Sequence, residues 1–394
     1  MTQLTINEHR MVHPGPKPMT DPVRLHRRLP GFHPTPLRYA PAGECAPQAL
    51  MIKLETNRCG LPAFKVLGAS WAIYRRLEQA LGITLQDWQH VDELQQRLRA
   101  SLADLSLVSA TDGNHGRGVA RMARWLDVPA RIYMPGGTVP ARIEAIRAEG
   151  ATVSVVDGSY DIAVQAARDD VAANADDNRT VSNAAWLIQD TSWPGYEAVP
   201  RDVIDGYTTM MWEIDESLDR DGRSWPDVVF VQLGVGSLAV AVINHLRHAA
   251  PKTVIIGVEP TAANCVQRSL LADGITSAPG PHDSIMAGLN CDTPASIAWP
   301  VLRGGLDAVV SIDDDDVVTA MRRLHTAGMR VGESGAAGLA GLIALNREAS
   351  PAERGRLRLS NDASVMILAT EGVTDPEAYD RIIGESARTQ VGHE

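Results

Sequence analysis

Six short apolar runs constrain this chain more than any other feature. They are "LSLVSAT" (105–111), "ARIYMP" (130–135), "ATVSVVDG" (151–158), "DVVFVQLG" (227–234), "TVIIGVEP" (253–260) and "SVMILATEG" (364–372). Each is β-branched or apolar and ends in Gly, Pro or polar residues. Amphipathic stretches lie between them, at 116–126, 139–149, 159–173, 237–249 and 314–328. Strand–helix alternation of this kind predicts an α/β fold with a mostly parallel sheet. Near-continuous apolar strands fit a sheet covered by helices on both faces. A chain of 394 residues is long enough for two such domains. Residues 1–40, rich in Pro, His and Arg, are expected to form an irregular lead-in. Residues 82–104 read as a polar helical insert, 174–179 as a solvated loop and 347–359 as charged surface.

The charge balance narrows the function classes. Net charge is −11 and no basic patch stands out, so nucleic acid is not an expected partner. No apolar run approaches the roughly 18 residues that span a bilayer, and the polar N-terminus lacks an apolar signal region. Cys45, Cys59, Cys265 and Cys291 are far apart and form no C-x-x-C pair, so neither a disulfide framework nor a metal site is expected. A cytoplasmic protein follows as the default expectation.

Three stretches can carry chemistry. In "VVFVQLGVGSLAVAVINHL" a strand meets a helix through a glycine turn. Gly234 and Gly236 let the backbone turn sharply, and a helix N-terminus favours negative charge. The pattern Gly234-Val-Gly236-Ser-Leu-Ala239 fits a dinucleotide fingerprint, with Glu259 standing 23 residues beyond Gly236 where a ribose-binding acid belongs. It fits equally a cradle for one phosphate of a smaller cofactor, or a turn that binds nothing. "SATDGNHGRGVARMARWL" (109–126) puts Asp112, Asn114 and His115 at the end of a strand and the start of a helix, the edge where open α/β sheets bind ligands. Helix capping by Asp112 or Asn114 accounts for one such residue but not for the whole run. "PAFKVLGASWAIYRRL" (62–77) sets Lys65 at the mouth of an apolar helix. A snorkelling surface lysine is the ordinary reading; the alternative is an amine kept as a nucleophile toward carbonyls.

The three stretches occur in the order of the tryptophan-synthase-β-like enzymes, the type II fold of pyridoxal-phosphate enzymes. Further blocks, "IYMPGG", "QDTSWPGYEAVP", "GYTTMMWEI", "IMAGLNC", "GESGAAGLAGL" and "ATEGVTDP", resemble the diaminopropionate ammonia-lyase family from about Asn57 to about Pro376. The resemblance implies two open, mostly parallel twisted-sheet domains with the cofactor in the cleft. It places residues 1–56 plus 197–394 in a larger phosphate-binding domain and 57–196 in a smaller one that closes on substrate. It implies pyridoxal 5′-phosphate as cofactor, a small amino acid as substrate, and a homodimer.

Residue roles come from the same resemblance. Lys65 matches the lysine that holds the cofactor covalently, with Phe64 beside it. Asn114 matches the residue that hydrogen-bonds the ring oxygen. Gly234, Val235, Gly236, Ser237 and Leu238 match the phosphate loop, which favours the single-phosphate reading. Thr370 matches the hydroxyl beside the pyridine nitrogen. Asp112 and Asp190 match two acids at the substrate, and Tyr160, Ala287, Gly288 and Ser334 are further contact candidates. The implied reaction is α,β-elimination of 2,3-diaminopropionate, in L and D forms, to pyruvate and two ammonia. Alternatives are a lyase or β-replacement enzyme of the same fold acting on serine, threonine or a related amino acid, or a non-catalytic protein that binds the cofactor. The chain departs from the family at Cys59 and Pro62, at Val373 where Asp is usual, and in a longer stretch at 174–185.

Overall fold

A computed structural model describes residues 2–11, 18–173 and 184–391, with backbone alone for 385–391. The loop expected at 174–179, and most of the longer stretch at 174–185, lie outside the described residues. The strands are β1 (Gln3–Ile6), β2 (Leu37–Ala40), β3 (Ala49–Leu54), β4 (Ser106–Ala110), β5 (Ala130–Pro135), β6 (Thr152–Val156), β7 (Ala185–Leu187), β8 (Val228–Gln232), β9 (Val254–Pro260), β10 (Ala308–Ile312) and β11 (Ser364–Ala369). The chain divides into two compact units. The first is Met1–Met19, Pro34–Asn57 and Met210–Glu394, and the second is Thr20–His33 and Arg58–Thr209.

The first unit holds a seven-stranded sheet in the order β1-β10-β9-β8-β11-β3-β2. The inner strands are parallel, and only the edge strands β1 and β2 run antiparallel to their neighbours. β8, β9 and β10 are buried at every position, as a sheet covered on both faces requires. Its core runs through Ile52, Phe230, Ile256, Val310 and Ile367 to Leu339 and Leu342 of the helix Glu333–Glu348. Chain order along the sheet reverses between β8 and β11, and such a reversal opens a crevice at the strands' carboxyl ends.

The second unit holds a four-stranded, fully parallel sheet in the order β6-β5-β4-β7. It repeats the same plan at smaller scale: the order reverses between β4 and β7. β5 alternates buried and half-buried positions and β6 is mostly exposed, so this sheet is covered less completely at that edge.

All six strand segments read from the sequence form, and so do the five helices. The lead-in differs from expectation. β1 adds to the edge of the first sheet with Gln3 opposite Ser311, and β2 pairs with β3. The helix Asp21–His26 buries Val23, Leu25 and His26, with Pro22 in its first turn, where a missing N–H costs nothing. The insert at 82–104 is helical only over Val91–Leu98, and it is anchored by the fully buried Trp88, Val91 and Leu94. The charged stretch 347–359 contains a short helix, Pro351–Arg356, closed by a Ser350–Glu353 capping box. Among the described residues, no helix is long and apolar enough to cross a membrane.

Candidate active site

In the first unit, the sequence "LGVGSL" carries the chain from β8 into the helix Ser237–Ala249. Gly236 caps that helix at φ +99°, a left-handed conformation open chiefly to glycine. A Cβ there would stand 2.6 Å from Leu302 Cδ1. A Cβ on Gly234 would stand 3.2 Å from the Gly288 carbonyl oxygen, so both glycines let the loop pack closely on its neighbours. The helix behind them leaves its first N–H groups without intrahelical partners. Val235 is held by Ala295, whose N–H donates to the Val235 carbonyl at 2.9 Å. Leu238 and Ser237 are buried.

The neighbouring carboxyl end, that of β11, carries the buried Thr370 and Glu371. The Glu371 carboxylate accepts from the Ser334 N–H at 2.9 Å, at the start of the helix Glu333–Glu348. The Ser334 hydroxyl in turn accepts from the Gly288 N–H at 3.2 Å. Within this unit the structure therefore brings together the loop 234–238, Ala287 and Gly288, Ser334, and Thr370. Val373 packs against the hydrophobic core of the unit.

Glu259 does not stand where a ribose could reach it. It is fully buried at the end of β9 and accepts from the Val266 and Gln267 N–H groups at 3.0 and 2.7 Å. It caps the helix Cys265–Ala272 from within. The dinucleotide reading thereby loses its acid.

The second unit holds the ionisable groups. Lys65 opens the helix Lys65–Leu81, and its Nζ donates to Asp190 Oδ2 at 2.6 Å. The lysine side chain is 23% exposed and the aspartate 8%. Close helix approaches fix this lysine. A Cβ on Gly118, in the helix Asn114–Leu126, would stand 3.1 Å from the Val66 backbone. A Cβ on Gly206, in the helix Ala198–Arg220, would stand 2.5 Å from the Leu67 carbonyl oxygen. The second contact brings Tyr207 against the amine, with Nζ 5.9 Å from the Tyr207 ring centre and 5.6 Å from that of Phe64. The two rings meet edge to face, their centroids 4.7 Å apart.

Burial works against the charge on Lys65, but the Asp190 carboxylate beside it, together with Tyr207 and Asp112, more than offsets burial and holds the ammonium above its ordinary range. Burial likewise opposes charge on Asp190, yet His115 and Lys65 bring its carboxyl down to about 2. The pair is thus ionised in the free chain. Burial pushes the Tyr207 phenol well up.

His115 is buried, and its Nε2 lies 3.0 Å from the Ile188 carbonyl oxygen. Gln189 holds this end of the sheet together. Its side chain accepts from Ser109 Oγ and the Ala110 N–H at 3.0 and 3.1 Å, and donates to the Ala110 carbonyl at 3.0 Å and to the Tyr160 hydroxyl at 2.9 Å. Thr111 contributes to the start of the helix Asn114–Leu126. Thr111 Oγ1 accepts from the Gly113 and Gly116 N–H groups at 2.9 and 3.1 Å. Asp112 and Asn114 are half-buried at this strand end. The sequence reading singled out neither Tyr207, Gln189 nor Thr111. The only hints of them were the blocks "GYTTMM", "QDTSW" and "SATDGNH" in which they stand.

Comparison with known proteins agrees over nearly the whole chain. The model of the pyridoxal-phosphate dependent enzyme family matches residues 29–366. The diaminopropionate ammonia-lyase of Salmonella typhimurium is 34% identical over 386 residues, covering 93% of this chain and 92% of that protein. The diaminopropionate ammonia-lyase of Escherichia coli K12 is 33% identical over 378 residues, covering 92% and 90%. A crystal structure of the Escherichia coli enzyme in complex with an aminoacrylate–PLP azomethine reaction intermediate superposes with a TM-score of 0.86 at 30% identity, covering 98% of this chain and 97% of the other. With the glycine loop, the lysine and the acid pair all in the order that the resemblance requires, the chain belongs to the pyridoxal-phosphate dependent enzymes and, within them, to the diaminopropionate ammonia-lyase family.

Proposed function

We propose that this chain eliminates ammonia from 2,3-diaminopropionate, giving pyruvate and two ammonia, with pyridoxal 5′-phosphate as its cofactor. The observation that carries the reading is the part-buried Lys65–Asp190 ion pair with Asp112 acting on the same amine. The residues fit the cofactor. The loop 234–238, with Gly236 at φ +99° packed close on Leu302 and Ala298, leads into the first turn of the helix Ser237–Ala249, whose N–H groups without intrahelical partners suit a phosphate. Asn114 and Thr370 are assigned the ring contacts, and Lys65 the covalent attachment. Bound there, pyridoxal phosphate supplies the electron sink that makes an amino acid's α-hydrogen acidic.

The chain's own groups then handle protons and charge. Lys65, once neutral, takes the α-proton from one face of the substrate. Asp112 is the carboxylate base for the opposite face, so the L and D isomers are each served by one base. The β-amine leaves only as an ammonium, and Asp190 is the buried anion that binds it and holds it in that protonated form. Tyr160, Ala287, Gly288 and Ser334 are assigned to the substrate pocket, with Phe64 backing the lysine. A hydroxyl substrate such as serine has no β-ammonium to pair with Asp190. The proposal extends to a homodimer in the cytoplasm, which rests on the family resemblance alone.

Pyruvate and ammonia formation measured over L- and D-2,3-diaminopropionate, serine and threonine tests the reading. Diaminopropionate is expected to give the highest kcat/KM and two ammonia per pyruvate. Faster turnover of serine or threonine would reassign the substrate.

A further inference from the structure

Two buried polar atoms beside the Lys65–Asp190 pair lack a hydrogen-bond partner among the described residues: the Tyr207 hydroxyl and His115 Nδ1. The second is the more telling. The Ile188 carbonyl can only accept, so Nε2 carries the ring proton and a neutral His115 presents a bare lone pair at Nδ1. That lone pair lies 3.7 Å from Asp190 Oδ2, the same oxygen that accepts from Lys65 at 2.6 Å. A lone pair facing a carboxylate oxygen is unfavourable, whereas an Nδ1–H there would be an ion pair. One carboxylate oxygen thus has two possible cations beside it, the near one Lys65 at 2.6 Å and the farther His115 at 3.7 Å.

We propose that Asp190 carries one mobile positive charge, which rests on Lys65 in the free chain and passes to His115 when Lys65 gives up its charge or is drawn away. The inference rests on the proposed function in one respect, that Lys65 is the nitrogen engaged by the cofactor and substrate, and His115 holds the charge until the substrate's own β-ammonium takes its place beside Asp190. An Nζ–H bond breaks as an Nδ1–H bond forms, with solvent carrying the proton, so the cluster's net charge is unchanged. The buried carboxylate is never left without a cation, which would be costly. His115 acts through Asp190 and is a positioning residue.

The groups facing the imidazole fit this account. Burial lowers its basicity, Asp190 raises it and the Lys65 ammonium lowers it again, and the net direction is down. From the helix Ala198–Arg220 comes the Tyr207 phenol, which burial keeps neutral. The Tyr196 phenol nearby is engaged with the Gln189 N–H and the Leu187 carbonyl at 3.0 and 2.8 Å. Asp112 acts on Lys65. Lys65 is therefore the group whose loss frees His115 to charge.

The test is nitrogen NMR of the full chain labelled at histidine, with the His115 signals assigned by their absence in His115→Gln. In the unsubstituted, cofactor-free chain His115 is expected neutral, protonated at Nε2, from pH 6 upward. In Lys65→Met its titration midpoint should rise by at least about one pH unit, the effect of an unshared carboxylate partner. Adding Asp190→Asn to Lys65→Met should abolish that rise. Lys65→Gln, a neutral side chain of similar length, must behave as Lys65→Met does, so the test survives if one variant folds poorly. An unchanged midpoint in a folded lysine variant, or a rise that persists without Asp190, would overturn the proposal. Neither readout depends on substrate, so a failure of the diaminopropionate assay would leave this result standing or falling by itself.

Discussion

The two sheets share one plan and use it differently. In each, chain order reverses beside the strand that leads into a key helix, at β8/β11 in the first unit and at β4/β7 in the second. At the first reversal the groups proposed to hold the cofactor are backbone N–H groups and one hydroxyl, around a loop whose Gly236 has a left-handed conformation. At the second they are side chains that hold charge: Lys65, Asp190, Asp112 and His115. A phosphate is bound well by preorganised dipoles that need no titration. Proton transfer needs groups that change charge, and these must be buried in mutually supporting sets. Under the proposed function the same topology serves recognition in one unit and chemistry in the other.

Two substitutions should separate these uses most sharply. Lys65→Ala should abolish pyruvate formation and leave no cofactor that borohydride can fix to the chain, while the loop 234–238 still binds free cofactor. Gly236→Asp should do the reverse: cofactor affinity falls by at least about tenfold, equivalent to about 1.4 kcal/mol, because a Cβ that meets Leu302 shifts the loop and a negative charge is added beside the phosphate site. Bound cofactor should still be fixed at Lys65. A folded Gly236→Asp chain with unchanged affinity would make the loop a simple turn and dissolve the comparison.

A smaller effect divides the acids within the second unit. Asp112→Asn keeps shape and removes the base. It should lower kcat/KM for the D isomer by roughly 10²–10⁴-fold and for the L isomer much less. Asp190→Asn should lower both. Equal losses for D and L in Asp112→Asn would leave Asp112 a binding residue only.

The two units were also unequally legible in the sequence. β8, β9 and the glycine turn announce themselves because dry strands and left-handed turns restrict residue choice severely. β3 was missed because Lys53 breaks its apolar run. In the structure that lysine is fully buried, donating to Glu213 at 2.6 Å and to the Thr35 carbonyl at 2.8 Å, partners that stand 160 and 18 residues away. The helix Glu333–Glu348 was missed because Gly335, Gly338 and Gly341 weaken its propensity. Those same glycines form the face that lies close on Glu371, Ile367 and Val258. At the site, Lys65 and Asp112 stand in motifs, but that Asp190 is an ion-pair partner and Tyr207 a neighbour depends on long-range helix packing. No local pattern encodes that.

The capping of the helix Asn114–Leu126 offers the gentlest test. If backbone order in the second unit is maintained by Thr111, then Asp112 and Asn114 are spared for chemistry, as the comparison requires. Thr111→Val keeps the branched shape, including the methyl that packs where a Gly116 Cβ would go, but leaves the Gly113 and Gly116 N–H groups without their acceptor. The expected loss is about 1 kcal/mol of unfolding free energy, the usual cost of a removed cap, read from the urea midpoint at unchanged slope. Asp112→Ala should cost less than half of that. Because the turn that carries Asp112 and Asn114 loosens, kcat/KM in Thr111→Val should also fall by several-fold for both isomers, without the stereochemical bias of Asp112→Asn. Equal stability losses in Thr111→Val and Asp112→Ala would return Asp112 to an ordinary capping role, and the chemical half of the second unit would then rest on Lys65 and Asp190 alone.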